Sequence, residues 1–197
     1  MAPADAHAAV VALARSFHDD PLFNFLIPDP LSQARAALTF MHSGIADARP
    51  FGDIWVARAG PAIAGAAVWL PPGRYPRGVR RETQYISRDM RSVTRLGRRF
   101  LVGTKLQTEM TRVHHRVGVP HWYLMLLGAD PAYQRRGAGT ALLQPVLAMS
   151  DRDGVPTYLE TQKEENVPWY HRFGFEVIEE IKVKGAPQMW AMRRDPR

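Results

Sequence analysis

The segment Gln134-Arg135-Arg136-Gly137-Ala138-Gly139-Thr140 carries the sharpest chemical signal in this chain. It follows an apolar run at 122–127 and opens an amphipathic stretch with Leu142, Leu143, Val146 and Leu147 at helical spacing. Two glycines let the backbone come close to an anionic group. The first turn of a helix placed there offers unpaired N–H groups and the positive end of its dipole. Arg135 and Arg136 add charge beside the same point, so the arrangement suits a pyrophosphate. Two other phosphate loops are excluded. The P-loop needs four residues between its glycines and then Gly-Lys-Ser/Thr. The dinucleotide fingerprint needs a third small residue where this chain has Leu142, and no acidic residue is placed for a ribose. Spacing alone leaves open a plain Gly-rich strand-to-helix turn with solvated arginines.

A second group follows the next apolar run, as Asn166-Val167-Pro168-Trp169-Tyr170-His171-Arg172-Phe173-Gly174-Phe175. Pro168 suits the first turn of a short helix, where its missing N–H is no loss. Asn166 can cap that turn or donate to a ligand. Gly174 ends the helix and Phe175 starts a strand. Tyr170 falls on the helix near the same sheet edge, either as a half-buried core residue or as part of a site.

These groups need a scaffold. Val10, Leu13, Ala14 and Phe17 recur at helical spacing over 4–17, and Asp19-Asp20-Pro21 stops that helix. A second helix is predicted over 31–46, with Leu38, Met41 and Ile45 on one face. Strands at 54–57 and 62–70 form a hairpin through Gly60-Pro61, closed by Pro71-Pro72-Gly73. The pattern is helical from 79 to 113, and Gly97 and Gly103 divide that stretch in two. A strand at 122–127, a helix over 138–150, a strand at 157–160, a helix at 168–173 and strands at 175–183 and 188–193 complete the chain. Strand–helix alternation in the C-terminal half argues for an α/β or α+β sheet. No linker divides the chain, so residues 1–197 read as one domain.

Composition narrows the chemistry. The 197 residues are long enough to bury a core. With 46% hydrophobic and 23% charged residues the chain reads as an ordinary folded protein. It has no cysteine, which removes disulfides, thiolate metal sites and a cysteine nucleophile. A net charge of +7 favours an anionic partner without naming it. No apolar run approaches the roughly 20 residues that span a bilayer, and the N-terminal stretch reads as an amphipathic helix and not a signal peptide. A cytoplasmic protein without membrane contact is expected. No His/Asp/Glu cluster has metal-ligand spacing, so no metal is expected.

At these residues the chain resembles the GNAT superfamily of acetyl-CoA-dependent N-acetyltransferases. One hallmark of that family is Gln/Arg-x-x-Gly-x-Gly/Ala at a strand-to-helix junction, complete here as Gln134-Arg135-Arg136-Gly137-Ala138-Gly139. The other is an Asn followed by Tyr and a Gly-Phe ending, here Asn166, Tyr170 and Gly174-Phe175. Leu127-Gly128-Ala129-Asp130-Pro131, Gly154-Val155-Pro156, Leu159-Glu160-Thr161 and Pro145 are similar to the puromycin N-acetyltransferase subgroup. Residues 1–110 match that subgroup much less. The resemblance implies a mixed, mostly antiparallel sheet flanked by helices, with a splayed pair of strands binding acetyl-CoA. Residues 1–120 would form the acceptor side and 121–197 the acetyl-CoA-binding core. Backbone groups of Leu127, Gly128 and Ala129 would pair with the pantetheine arm. Gln134, Arg135, Arg136, Gly137, Ala138, Gly139 and Thr140 would hold the pyrophosphate, and Asn166 would contact the arm further along. Gly128 would mark a bulge.

Without cysteine, the simplest path is direct attack of an amine on the thioester with both substrates bound. A backbone N–H near 127–129 would stabilise the oxyanion. Tyr170 would protonate the departing thiolate, since a phenol near 10 lies a little above a thiol of roughly 8.5. Glu160, at the end of the strand facing the cofactor strand, is the first candidate for general base, or else a structural carboxylate paired to an arginine. His121 is the second candidate. His114 and His115, at a helix end, read as structural or solvated. Nine arginines between Arg74 and Arg99 read mainly as a solvated helix face. Trp69 and Tyr75 line an acceptor pocket or, for Trp69, sit in the core. The expected activity is acetylation of a small-molecule amine by a monomer or homodimer. Acetylation of a protein N-terminus or lysine, a non-catalytic acyl-CoA-binding fold and a basic nucleic-acid-binding module are the rivals. No helix-turn-helix or RNA-binding signature supports the last of these, so no nucleic-acid partner is expected.

Overall fold

Gly60 takes a left-handed conformation, φ +59°, and so turns β1 (Ile54–Ala59) back onto β2 (Ala62–Leu70). The computed structural model describes residues 1–51, 53–75 and 98–197. β3 (Trp122–Ala129) pairs antiparallel with β2, and β4 (Thr157–Thr161) lies parallel to β3. β6 (Met189–Arg194) runs antiparallel to β4, and β5 (Glu176–Ile181) antiparallel to β6. The sheet therefore reads β1-β2-β3-β4-β6-β5, mixed but mostly antiparallel, as expected. β3 runs two residues past its expected end, through Gly128 and Ala129.

The helices follow from their caps. α1 (Ala6–Ser16) ends at Phe17. Asp19-Asp20-Pro21 stops it as expected, but also starts α2 (Pro21–Leu26), which the periodicity missed. The Asp20 carboxylate accepts hydrogen bonds from the N–H of Leu22 at 2.9 Å and of Phe23 at 3.1 Å. Asp29 and Pro30 repeat the device at α3 (Pro30–Ala48), where Asp29 accepts from Ser32 N–H at 2.8 Å. Of the expected α3 face, Met41 and Ile45 are buried but Leu38 is 40% exposed. Gly103 does not divide a helix. It lies inside α4 (Arg98–His115), where a Cβ would come 3.1 Å from Leu26, so it lets α2 approach. Gly97 and the arginines at 77, 80, 81, 88, 91 and 95 lie outside the described residues. Arg74 sits over the Phe51 ring at 4.7 Å and Arg99 over Phe25 at 6.0 Å. α5 (Ala138–Asp153) and α6 (Val167–His171) complete the set.

Each sheet face has its own core. On one, Val10 and Leu13 of α1, Met41 and Ile45 of α3, and Leu106 and Val113 of α4 pack on Val68, Leu126, Tyr123 and Tyr158. On the other, Leu142, Leu143, Val146 and Leu147 of α5 and Tyr170 of α6 pack on Trp69, Leu124, Leu159 and Met192. Trp69 is fully buried there, so of its two readings the core one holds.

The bulge in β3 is at Met125 and not at Gly128. Val68 pairs with Leu126 and Trp69 with Leu124, leaving Met125 as an extra residue. The extra residue reverses the alternation, so Tyr123 faces the α1 side while Leu127 packs on the α5 side. Gly128 has a different reason to be glycine: a Cβ there would overlap the Ser16 hydroxyl and lie 2.8 Å from Ser16 Cβ. The C-terminal end of α1 is thus seated on the last residues of β3.

This contact generates a test. Gly128→Ala should destabilise the fold by about 1–3 kcal/mol through overpacking. Adding Ser16→Gly should return much of that, because it removes both clashing atoms. Urea unfolding of the two single variants and the double variant reads the coupling. Equal loss in Gly128→Ala with and without Ser16→Gly would show that Ser16 is not the obstacle.

Candidate active site

β3 and β4 are hydrogen-bonded neighbours for only three pairs, Trp122–Thr157, Tyr123–Tyr158 and Leu124–Leu159. Beyond them β3 stays with β2 through Ala129, while Glu160 and Thr161 stay with Ala191 and Trp190 of β6. The two inner edges part into a wedge. Backbone N–H and C=O groups along that wedge have lost their strand partner and must find another.

On the α5 side the wedge runs into the expected loop. Gly137 is the N-cap residue of α5, at φ +85°, and no side chain caps the turn. A Cβ at Gly137 would meet nothing within 4 Å, so conformation and not packing requires glycine there. Arg135 is also left-handed, at φ +60°. Arg135, Arg136 and Gly137 are exposed, and Ala138, Gly139 and Thr140 form the first helical turn with its free N–H groups. Gly139 has a packing reason instead: its Cβ would stand 3.1 Å from the Trp169 indole. Gln134 Nε2 donates to the Ala129 carbonyl at 3.2 Å and ties the loop to the end of β3. Leu127, Gly128, Ala129 and Gln134 to Thr140 thus form one continuous track from the wedge to the helix terminus.

Asn166 stands on the other lip. Its side chain does not cap α6; Nδ2 donates at 3.2 Å to Oγ1 of Thr161, the last residue of β4. Tyr170 is 6% exposed, edge-on to Trp169 at 4.9 Å and to Phe175 at 5.7 Å. No hydrogen bond engages its hydroxyl among the described residues, and burial alone raises its pKa above the ordinary phenol value.

Glu160 is the first β4 residue beyond the last β3 pair, and it faces the α1 side, away from Tyr170. Its side chain is only 5% exposed and has no arginine partner among the described residues. Its neighbour is His114, with Oε1 3.7 Å from Nδ1. His114 is 3% exposed, so of its two readings, structural or solvated, the solvated one fails. Leu106, Met110, Val113 and His114 follow the i, i+4, i+7, i+8 pattern of one helical face, which was the available signal. His114 Nε2 lies 2.7 Å from His121 Nε2. Tyr75, Tyr123 and Tyr158 wall the histidine at ring-centroid distances of 4.2, 4.7 and 4.4 Å. His115 is exposed.

A further pair spans the wedge. Lys163, two residues past β4, meets Asp19, in the α1–α2 connection, at 2.5 Å. Burial raises the Asp19 carboxyl, but the Lys163 ammonium outweighs it and holds the group below its ordinary value. Asp20 behaves oppositely: burial lifts its carboxyl against its two backbone hydrogen bonds.

Residues 15–175 match the acetyltransferase (GNAT) family. The chain belongs to that family. The family generally uses acetyl-CoA. The chain is 35% identical over 75 residues to N-alpha-acetyltransferase 50 of Danio rerio, a match over 36% of this chain and 45% of that protein. Its fold is that of the histone acetyltransferase HPA2 and related acetyltransferase structure from Corynebacterium glutamicum. That alignment has TM-score 0.70 and 24% identity, over 100% of this chain and 94% of the other. Arylalkylamine N-acetyltransferase 2 from Aedes aegypti aligns with TM-score 0.64 and 12% identity, over 100% and 97%. Among the described residues no helix of this GNAT acetyltransferase is long and apolar enough to cross a membrane.

Asp20 gives this site a pH signature. Its carboxyl is raised in the folded chain, so folding favours the protonated form, and the ionised group lowers stability above that raised value. Asp20→Asn, which keeps the cap acceptor without the charge, should match or exceed wild-type stability at pH 7, and its advantage should shrink as pH falls. Asp20→Ala, which loses the cap acceptor as well as the charge, should lie about 0.5–2 kcal/mol below Asp20→Asn at every pH. Thermal melts of the three proteins between pH 4 and 8 decide this. An Asn variant as weak as the Ala variant would show that the charge itself holds α2.

Proposed function

We propose that this chain transfers an acetyl group from acetyl-CoA to the primary amine of a small molecule, by direct attack with both substrates bound. The observation that carries the reading is the wedge: an anion-binding helix terminus opens from one face of it and a buried carboxylate from the other. The donor set fits acetyl-CoA, since an uncapped helix turn with two arginines suits a pyrophosphate and an unpaired strand edge suits an amide-bearing arm. Acetyl-CoA bound there supplies the thioester. N–H groups along 127–129 would polarise its carbonyl. Glu160 takes one proton from the ammonium of the acceptor. The amine then attacks, and Tyr170 gives its hydroxyl proton to the departing sulfur and is restored by the second proton on nitrogen. An ammonium and a thioester thereby become an amide, a thiol and one free proton.

Two features favour a small acceptor. The Lys163–Asp19 pair crosses the acceptor-side mouth, which a small amine passes more readily than a chain. Arylalkylamine N-acetyltransferase, named for a small amine, shares the fold. The N-alpha-acetyltransferase relative favours a second reading, a peptide α-amine. A panel of small amines and short peptides with acetyl-CoA, read by thiol release, separates them: turnover confined to peptides would replace the first reading by the second.

The roles can be tested singly. Acetyl-CoA at 100 times its Kd should stabilise the fold by about 2.7 kcal/mol, and Gly137→Asp should abolish that by placing a strained, negative side chain at the helix terminus. Tyr170→Phe should keep cofactor binding and lower kcat by about 10²–10⁴-fold. A chain whose melting is indifferent to millimolar acetyl-CoA would end the assignment. A Phe variant with wild-type kcat would show that another group protonates the sulfur.

A further inference from the structure

Hydrogen-bond logic at Glu160, His114 and His121 leads beyond a lone base. His121 Nδ1 lies 2.7 Å from the Val119 carbonyl, which can only accept, so Nδ1 carries a proton. His121 Nε2 and His114 Nε2 are 2.7 Å apart, so one proton lies between them. If His121 is neutral, His114 supplies that proton from Nε2, and a neutral His114 then turns a bare, buried Nδ1 toward the Glu160 carboxylate. That Nδ1 has no hydrogen-bond partner and stands 3.7 Å from Oε1, an arrangement that two lone pairs would oppose. A proton on Nδ1 resolves it and leaves the Glu160 carboxylate able to accept another. If His121 is instead an imidazolium, it donates to His114, whose single proton then sits on Nδ1 facing Glu160. Either way one proton lies between the two imidazoles and one on His114 Nδ1 faces Glu160, so the three groups form a chain.

We infer that Glu160, His114 and His121 form a proton path that carries the one proton of each acetyl transfer from the wedge to solvent at the start of β3. The inference rests on the acetyltransferase reading above. Glu160 receives the proton from the acceptor ammonium, His114 passes its Nε2 proton to His121, and His121 releases its Nδ1 proton when water replaces the exposed Val119 carbonyl as that proton's acceptor. β3 and β4 are parallel, so the path runs from the open end of the wedge back toward its closed end, away from the phosphate loop. Tyr75, Tyr123 and Tyr158 sheathe His114 from water. Burial first and Glu160's charge second hold Tyr123 and Tyr158 as neutral phenols, so neither competes for the proton. Burial first, with His114 and Arg193 of β6, lowers His121 against the Val119 hydrogen bond and the Glu160 charge, which helps the ring let its proton go. Glu179 of β5 also faces this side, and Arg112 and Arg116 both pair with it at 2.8 Å. On this account His114 and His121 act through Glu160.

The tests have two arms. The first needs no turnover. Ring ¹⁵N spectra of the wild type should show His121 protonated on Nδ1 and a proton between His114 and Glu160. Glu160→Gln should remove that shared proton and leave His114 neutral. Unchanged His114 shifts in Glu160→Gln would overturn the path whatever the substrate is. The second arm uses the amine that the panel identifies. His121→Ala should lower kcat at least about tenfold, below the roughly 10²–10⁴-fold of a full base, with KM for both substrates unchanged. Added imidazole should restore kcat in proportion to its free-base concentration, because the vacated position reaches solvent. His114→Gln, which keeps polarity and size but cannot carry a proton, should lose as much and gain nothing from imidazole. Full kcat in His121→Ala, or a loss that imidazole does not reverse and that tracks a lowered Tm, would overturn the path. No turnover with any amine, alongside the expected spectra, would instead fault the acetyltransferase reading.

Discussion

Three residue pairs are all that join β3 to β4, and the remainder of the molecule is arranged around the edge they leave unpaired. A parallel pair normally continues until a strand ends, because each unpaired N–H and C=O loses a bond it would otherwise make. Here both strands continue after they part, each held on its far side, β3 by β2 and β4 by β6. The wedge is therefore imposed by the outer pairings and is not a defect of the inner one. The Met125 bulge contributes by bending β3 at the point of divergence and by turning Leu127 to the α5 side. Ser16 then presses the end of α1 onto Gly128, where no side chain fits. An edge so prepared is a template for an extended, amide-bearing group.

The sheet also separates two kinds of chemistry. On the α5 face the loop, the helix terminus and Tyr170 gather. On the α1 face Glu160, His114 and His121 gather. On the proposed reading, a group threaded through the wedge is held by one side and relieved of a proton by the other. The Lys163–Asp19 pair ties the α1–α2 connection to the residues just past β4, at the open end of the wedge.

How much of this was legible in the sequence depended on the range of the interaction. The loop was legible because its requirements are local: Gly137 needs a left-handed φ, and the residues that follow must start a helix. The hairpin at Gly60 and the core face of α5 were legible for the same reason. α2 was missed because six residues are too few for a periodicity to show, although its Asp-Pro start matches that of α3. The bulge was misplaced because glycine has two common reasons to stand in a strand, and only the helix packed above Gly128 decides between them. The burial of His114 was not legible from its place near a helix end, a local argument that leaves open which face of the helix it occupies. Its partners, Glu160 and His121, come from β4 and from the residue before β3, and no spacing announces their meeting.

That distribution bears on why an acid and a base can coexist so close together. Tyr123, Tyr158 and Tyr170 are all buried, and burial raises the pKa of each. For Tyr123 and Tyr158 the nearby Glu160 carboxylate raises it further, since a phenolate beside a carboxylate repels it. For Tyr170 burial is the sole cause, because the sheet stands between it and Glu160. A group that must give up a proton briefly and recover it is better placed where no fixed negative charge opposes its anion. Had the acid and base shared one face, each would have pushed the other toward protonation, and the site would have lost the pair of opposed environments that acid–base work requires. On the proposed reading, the strand alternation that sends Glu160 to one side and the α6 helix that holds Tyr170 on the other are what keep the two roles apart.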